Sequence, residues 1–356
     1  VQYHERVSCV SGESLVLAMM QSCPVIEGGY LRDILAQPQA LEDTIIGLDE
    51  SADLTSLAQR QILLTGMGSS YHAFQSILVE LTEKGLPASL VETSELIHYQ
   101  TRRLDAGTVT IALSQSGRSA EIARLIEINH GRSPIIGITN DPDSPLAHAA
   151  RIRILTHAGS EFSVSTRTYV SSLAALAWLA DRLCGRDSRD LTELPRAMSL
   201  YLERWRDHVA EAQSVLDGVQ HMFLAGRGAS LATAGTGGLI TKESARFPAE
   251  GMSAAAFRHG PLEMVSPGML LLVFEGHPRT AELNARLVHD VRSSGGRAEL
   301  VRESAEPGLF RTPPVPTRLR PIVEILPVQM LTLALAARAG REAGAFERAT
   351  KITLSE

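Results

Sequence analysis

The feature that most restricts what this chain can become is an internal duplication. The segment 62–70, ILLTGMGSS, has a counterpart at 222–230, MFLAGRGAS. Each is a short uninterrupted apolar run, then Gly-x-Gly, then small hydroxylated or alanine residues. A second pair is TVTIALSQSGRSAE at 108–121 and MLLLVFEGHPRTAE at 269–282; a weaker third sets Gly131–Arg132 before PIIGIT and Gly296–Arg297 before AELV. Apolar runs of this length without alternation belong to strands buried on both faces, as parallel sheets require. Helical patterns lie between them: in 119–129, Ile122, Leu125 and Ile126 share one face. Each half therefore reads strand, glycine turn, helix, strand, turn, helix, strand. The expected architecture is α/β, two doubly wound parallel-sheet domains related by internal duplication. A helical lead-in over roughly 28–48 precedes them. A polar stretch, GRDSRDLTELP, ends in Pro195 and marks the boundary, giving a leader 1–28, a first domain 29–190 and a second 195–343.

Composition narrows the class. At 356 residues the chain exceeds one comfortable core, and 44% apolar with 21% charged residues is a globular profile. The net charge of −6, with no basic block, argues against nucleic acid and anionic membrane as partners. No apolar stretch is expected to cross a bilayer, and the run at 15–20 is too short for a signal-peptide core. Three scattered cysteines, Cys9, Cys23 and Cys184, lack metal-ligand spacing and fit a reduced, cytoplasmic setting. No metal and no cofactor are expected: Gly66-x-Gly68 lacks the third glycine and the acidic residue of a dinucleotide fingerprint.

In parallel sheets ligands gather at the carboxyl ends of strands. The loop SQSGRS at 114–119 follows such a strand. It offers hydroxyls from Ser114, Ser116 and Ser119, the amide of Gln115, backbone N–H groups freed by Gly117, and the positive end of the next helix. The glycine turn of the same half adds Ser69 and Ser70. Serines cap helices routinely, but the second half keeps the frame Arg279-Thr280-Ala281-Glu282 and replaces SQSG by EGHP at 275–278. The fold alone does not demand the serines, so one functional anion loop per chain is the expectation.

These segments, with LRDILAQPQALEDT at 31–44, AGSEFSVSTRTY at 158–169 and HGPLEMV at 259–265, resemble the SIS (sugar isomerase) family. The likeness is to its double-SIS members, in particular the isomerase half of glucosamine-6-phosphate synthase, and spans roughly 29–356. It implies two SIS domains binding a sugar 6-phosphate, with Ser69, Ser70, Ser114, Gln115, Ser116 and Ser119 on the phosphate. Backbone groups near Val164 and Thr350 would hold the sugar. Three residues match the family's catalytic positions. Glu243, in a helical pattern over 231–246, is implied as the enolisation base. His259, before the turn-forming Gly260-Pro261, is implied as the ring-opening group, contributed to a neighbouring subunit's site; a homodimer or higher assembly with shared sites follows. Lys351 lies in a tail, 344–356, that folds over the site, where its amine can meet the open-chain carbonyl, including as a Schiff base.

The departures bear on the reaction. The family's additional lysine is replaced by Ile240, while Lys242 is kept on another side of the helix. GAFE at 344–347 stands where the family has Asp-x-Pro-Arg, and the segment after Glu161 is one residue shorter. No glutaminase domain with its nucleophilic cysteine is expected, so glutamine is not the expected nitrogen source. Aldose–ketose isomerisation of a hexose 6-phosphate, most naturally an amino sugar, through an enediol is the leading expectation, with deamination built on the same step. The alternatives are a fructosamine-phosphate deglycase and a non-catalytic sugar-phosphate sensor; against the sensor, Glu243, His259 and Lys351 are all present, and the DNA-binding module such regulators carry is not expected within the 28 residues before Gly29.

Overall fold

Among the described residues, ten strands form two parallel five-stranded sheets. The first contains β1 (Gln61–Gly66), β2 (Ala88–Glu92), β3 (Thr108–Leu113), β4 (Ile135–Thr139) and β5 (Ile152–Leu155), in the order β2-β1-β3-β4-β5. The second contains β6 (His221–Gly226), β7 (Ala249–Ser253), β8 (Met269–Phe274), β9 (Arg297–Glu303) and β10 (Arg311–Thr312), ordered β10-β9-β8-β6-β7. Counted from the start of each half, these are one topology. The register repeats too: Leu64 lies opposite Ile111, and their counterparts Leu224 and Leu272 lie opposite each other. This computed structural model describes residues 23–49, 51, 53–348 and 350–351; most of the expected leader, and 352–356 of the tail, lie outside the described residues.

Burial follows the pleat. In β1, Ile62 and Leu64 belong to one apolar cluster and Leu63 to another; in β6, Met222 and Leu224 join the same cluster as Ile62, while Phe223 and Ala225 face a third. The inner faces of both sheets thus share one continuous core, and each outer face has its own. The lead-in forms two helices, Gly29–Leu35 and Gln37–Gly47. A buried amide pair ties the second of them to the far repeat, Gln37 Nε2 donating to Gln329 Oε1 at 2.9 Å.

Gln329 lies on a helix that corrects one expectation. Thr317–Arg338, 22 residues, is long and apolar enough to span a membrane, and its most apolar stretch is 94% buried inside the protein. Arg320, Glu324 and Gln329 interrupt the run in sequence, and all three are bonded within the fold. The polar stretch between the repeats is also ordered: it runs through a 3₁₀ turn, Arg189–Glu193, into a helix, Leu194–Leu202, with Pro195 in its first turn and Leu191, Leu194 and Met198 buried. Arg318 of the second repeat crosses to Asp181 of the first at 3.0 Å; burial pushes that carboxyl up to about 6.

Candidate active site

The strand order reverses between β1 and β3, which opens a crevice at their carboxyl ends. Ser69 and Ser70 follow β1 on the short helix Gly68–Ala73; Ser114, Gln115, Ser116 and Ser119 follow β3. The second loop is built as a cradle. Gln115 C=O accepts from Asn140 N–H (3.0 Å) and Thr139 Oγ1 (3.2 Å), and Gly117 C=O from Leu146 N–H (3.2 Å). Arg118 turns outward to Asp141 (2.7 Å). Gly117 has φ +60°, and a Cβ there would lie 2.3 Å from Ser144 Oγ, so only glycine fits.

The hydroxyls are poised to donate. Ser114 Oγ accepts from Gly117 N–H and Ser116 Oγ from Arg118 N–H, both at 3.2 Å, which leaves their own protons for a ligand. Ser119 occupies the N-cap of the helix Ala120–Asn129, yet its side chain makes no capping bond. Capping therefore does not account for this serine. Ser69, Ser70 and the Gln115 amide likewise have no side-chain hydrogen bond among the described residues.

The equivalent crevice of the second repeat is a cavity too, lined by Ser230, Gly276, His277, Arg279 and Thr280, but its polar groups are of another kind. Arg320 reaches Glu303 (3.1 Å), Glu275 (3.8 Å) and the carbonyl of Gly276. Ser230, counterpart of Ser70, donates to buried Glu324 at 2.9 Å, and burial pushes Glu324 up to about 7. His277 caps its own helix by accepting from Arg279 N–H. Bonded carboxylates and a self-capped turn stand there in place of the free serine hydroxyls of the first repeat.

Glu243 comes from the second repeat but is packed against the first. Its helix, Leu231–Ala245, approaches the Gly68–Ala73 helix at Gly235, where a Cβ would sit 2.3 Å from His72 Nδ1. One turn on, a Cβ on Gly68 would lie 3.5 Å from Leu239 Cδ2, and Glu243 follows Leu239 by another turn on the same side. The helix that bears Glu243 is thereby held beside the turn that bears Ser69 and Ser70. Glu243 is half-buried, and burial first, then the nearby Glu161 charge, push it up to about 7 against the opposing pull of Lys242. A carboxylate at that value can both take and return a proton near neutral pH.

The tail crosses over this helix. Gly344 N–H donates to Ser244 C=O (2.9 Å), Arg246 bonds Ala345 C=O (2.9 Å) and Glu347 (2.6 Å), and Glu342 accepts from Gly29 N–H (3.0 Å). Lys351 then reaches the 158–168 segment, where Nζ donates to the Glu161 carbonyl and lies 3.4 Å from Glu161 Oε2. Val164 is buried in that segment and Thr350 is exposed beside Lys351. His259 stands apart: it is exposed, follows the helix Ala254–Phe257, and precedes Gly260 at φ +141°. Among the described residues no bond joins it to Glu243, Lys351 or the serines. Nor does any group of three or more His, Cys, Asp or Glu among them suit a metal ion. Sequence reasoning did not single out Glu161, whose partner lies at the other end of the chain.

A duplicated parallel α/β fold, with free serine hydroxyls at the crevice of one repeat and a carboxylate-bearing helix of the other packed beside them, defines a double-repeat α/β protein. The chain belongs to the SIS domain family, which matches residues 57–182 and 216–301. Glutamine–fructose-6-phosphate aminotransferase [isomerizing] of Pyrococcus horikoshii is 31% identical over 336 residues, 88% of this chain and 56% of that protein. The chain thus spans little more than half the length of such curated relatives. Among solved structures, the C-terminal domain of glucosamine-fructose-6-phosphate aminotransferase from Francisella tularensis superposes with a TM-score of 0.78 at 21% identity, covering 88% of this chain and 97% of that one. Glucosamine-6-phosphate deaminase from Thermotoga maritima gives 0.75 at 19%, covering 92% and 100%.

Proposed function

We propose that the chain is a phosphosugar isomerase or deaminase that moves a proton between C1 and C2 of an open-chain hexose 6-phosphate, most naturally an amino sugar phosphate. The observation that carries this reading is the pairing of an open hydroxyl cradle from one repeat with a carboxylate pushed to about 7 from the other. The serine loops hold the 6-phosphate. Glu243 removes the C2 proton of the open-chain aldose, the electron pair moves to make the enediol, and the same carboxyl returns a proton to C1 to give the ketose. Where C2 bears an amine, the same shift yields a C2 imine whose hydrolysis releases ammonia. Lys351 addresses the carbonyl end, and Val164 and Thr350 lie where backbone groups meet the sugar. Cys23 and Cys184 are free thiols, in keeping with a cytoplasmic setting.

The test is solvent exchange. Incubating hexose and hexosamine 6-phosphates with the protein in D2O should place deuterium at C1 or C2 of the substrate, seen by NMR, with ammonia assayed in parallel. Ammonia released from a hexosamine phosphate selects the deaminase, and from a fructosamine phosphate the deglycase. Tight binding across the panel with no exchange in any member would return the protein to the sensor class.

The exposed position of His259 fits a group that serves a neighbouring chain. If it opens the ring there, the active unit is a dimer built on two-fold symmetry. Mixing and co-refolding inactive Glu243→Gln chains with inactive His259→Ala chains should then restore part of the turnover. Full activity from a monomer at assay concentration would refute the shared site.

A further inference from the structure

We propose that Glu161 is the positioning residue of this site: its buried carboxylate, fixed by the turn it caps, holds the tail lysine Lys351 in place beside Glu243. The inference rests on the phosphosugar reading for its kinetic part only. Glu161 has a side chain only 1% exposed. Oε1 accepts from Thr166 N–H (2.8 Å), Thr166 Oγ1 (2.9 Å) and Thr168 N–H (3.1 Å), and Oε2 from Thr168 Oγ1 (2.7 Å). Those N–H groups open the helix Arg167–Leu183, so the carboxylate sits at its positive end. The segment is pinned from the other side as well: Asp33 accepts from Phe162 N–H (2.6 Å) and pairs with Arg167 (2.9 Å). A carboxylate so constrained is a fixed point against which the tail lysine can be set. Lys351 takes both the carbonyl and the carboxylate of this one residue.

One buried charge then serves two groups. It orients the Lys351 amine, and its field helps keep Glu243 protonatable near neutral pH. The charged and titratable groups around Glu243 are Glu161, Lys242, which pairs outward with Glu250 at 3.2 Å, and the buried phenol of Tyr30, with Lys351 beyond Glu161.

Lysine footprinting tests the geometry without reference to turnover, because Lys84, Lys242 and Lys351 are the only lysines in the chain. With N-hydroxysuccinimidyl acetate and peptide mass spectrometry, Glu161→Gln should acetylate Lys351 about tenfold faster than wild type relative to Lys242, the loss of one charge-assisted contact. Glu161→Asp keeps the charge but falls a methylene short of Lys351, so Lys351 labelling should rise there too; this variant carries the test if the glutamine form does not fold. In the exchange assay, Glu161→Gln should lower kcat by on the order of 10²-fold with little change in KM. Its acid limb should move to lower pH, since removing a neighbouring negative charge favours ionised Glu243, and Glu161→Asp should restore the limb. Unchanged Lys351 labelling in both folded variants overturns the proposal. Absence of exchange in wild type overturns the phosphosugar chemistry and leaves the labelling result standing.

Discussion

Replacing Glu243 by glutamine should slow C1–C2 hydrogen exchange by at least ~10²-fold, the loss expected for a general base, while leaving phosphate affinity intact. The same change should make the protein more stable, and the sign follows from burial. The Glu243 carboxyl is raised from an ordinary 4.5 to about 7, so the folded state favours its neutral form. The stability that this provides is fully present below about 4.5 and is lost as pH rises through about 7. At pH 8 the wild-type protein keeps a charge in a poorly solvated place, and a neutral amide removes that burden. The gain is on the order of 2–3 kcal/mol, an upper estimate for a half-buried group. Thermal melts should show the variant ahead at pH 8 and level at pH 4. Glu324, also pushed up to about 7, stays in the variant, so both proteins should still lose stability across that window. Exchange within a few-fold of wild type would remove Glu243 from the chemistry.

The second large effect is on binding. Ser116→Ala with Ser119→Ala removes two donors from the cradle and one bond of its frame, Arg118 N–H to Ser116 Oγ, while Gln115, Gly117 and Arg118 keep their other bonds. Two lost hydrogen bonds to a phosphate dianion should cost roughly 3–6 kcal/mol, about 10²–10⁴-fold in affinity for a 6-phosphate sugar. Isothermal titration with fructose 6-phosphate measures this, and should give one phosphate site per chain. Thr280→Ala, the equivalent change to Ser119 in the second repeat, should leave affinity unchanged. Two equivalent sites, or an unaltered affinity in the double variant, would contradict the assignment.

What the sequence makes legible is what local chemistry dictates. The central strands β1, β3, β6 and β8 and both glycine turns announce themselves as apolar runs meeting Gly-x-Gly, and the duplication extends that reading across the molecule. The edge strands β2, β5, β7 and β10 do not. Segments such as ASLVE and AEGMS are half exposed, so no continuous apolar run marks them. Along the Leu231–Ala245 helix the close approach at Gly235 is a tertiary fact, invisible until the His72 ring is seen against it. Glu161 escapes for the same reason. Its four donors are local, but its consequence depends on Lys351, 190 residues away. The apolar helix Thr317–Arg338 is hard to read for the opposite reason: scattered polar residues hide its length, and Glu324 and Gln329 among them have buried partners.

In the proposed reading, the grip on phosphate and the proton-moving carboxylate belong to different halves of the chain, and the contact at Gly235 sets the spacing of the helices that carry them. Under the proposed reaction, one end of the substrate is anchored at C6 and the other is worked on at C1 and C2. The crevice is then a ruler, and it counts carbons. A pentose phosphate gripped by the same serines would present its reacting carbons short of Glu243, and a heptose phosphate would overshoot. Selection by chain length needs no contact with the hydroxyls in between. It resides in the stiffness of two helices held at a spacing fixed by the His72 ring against Gly235.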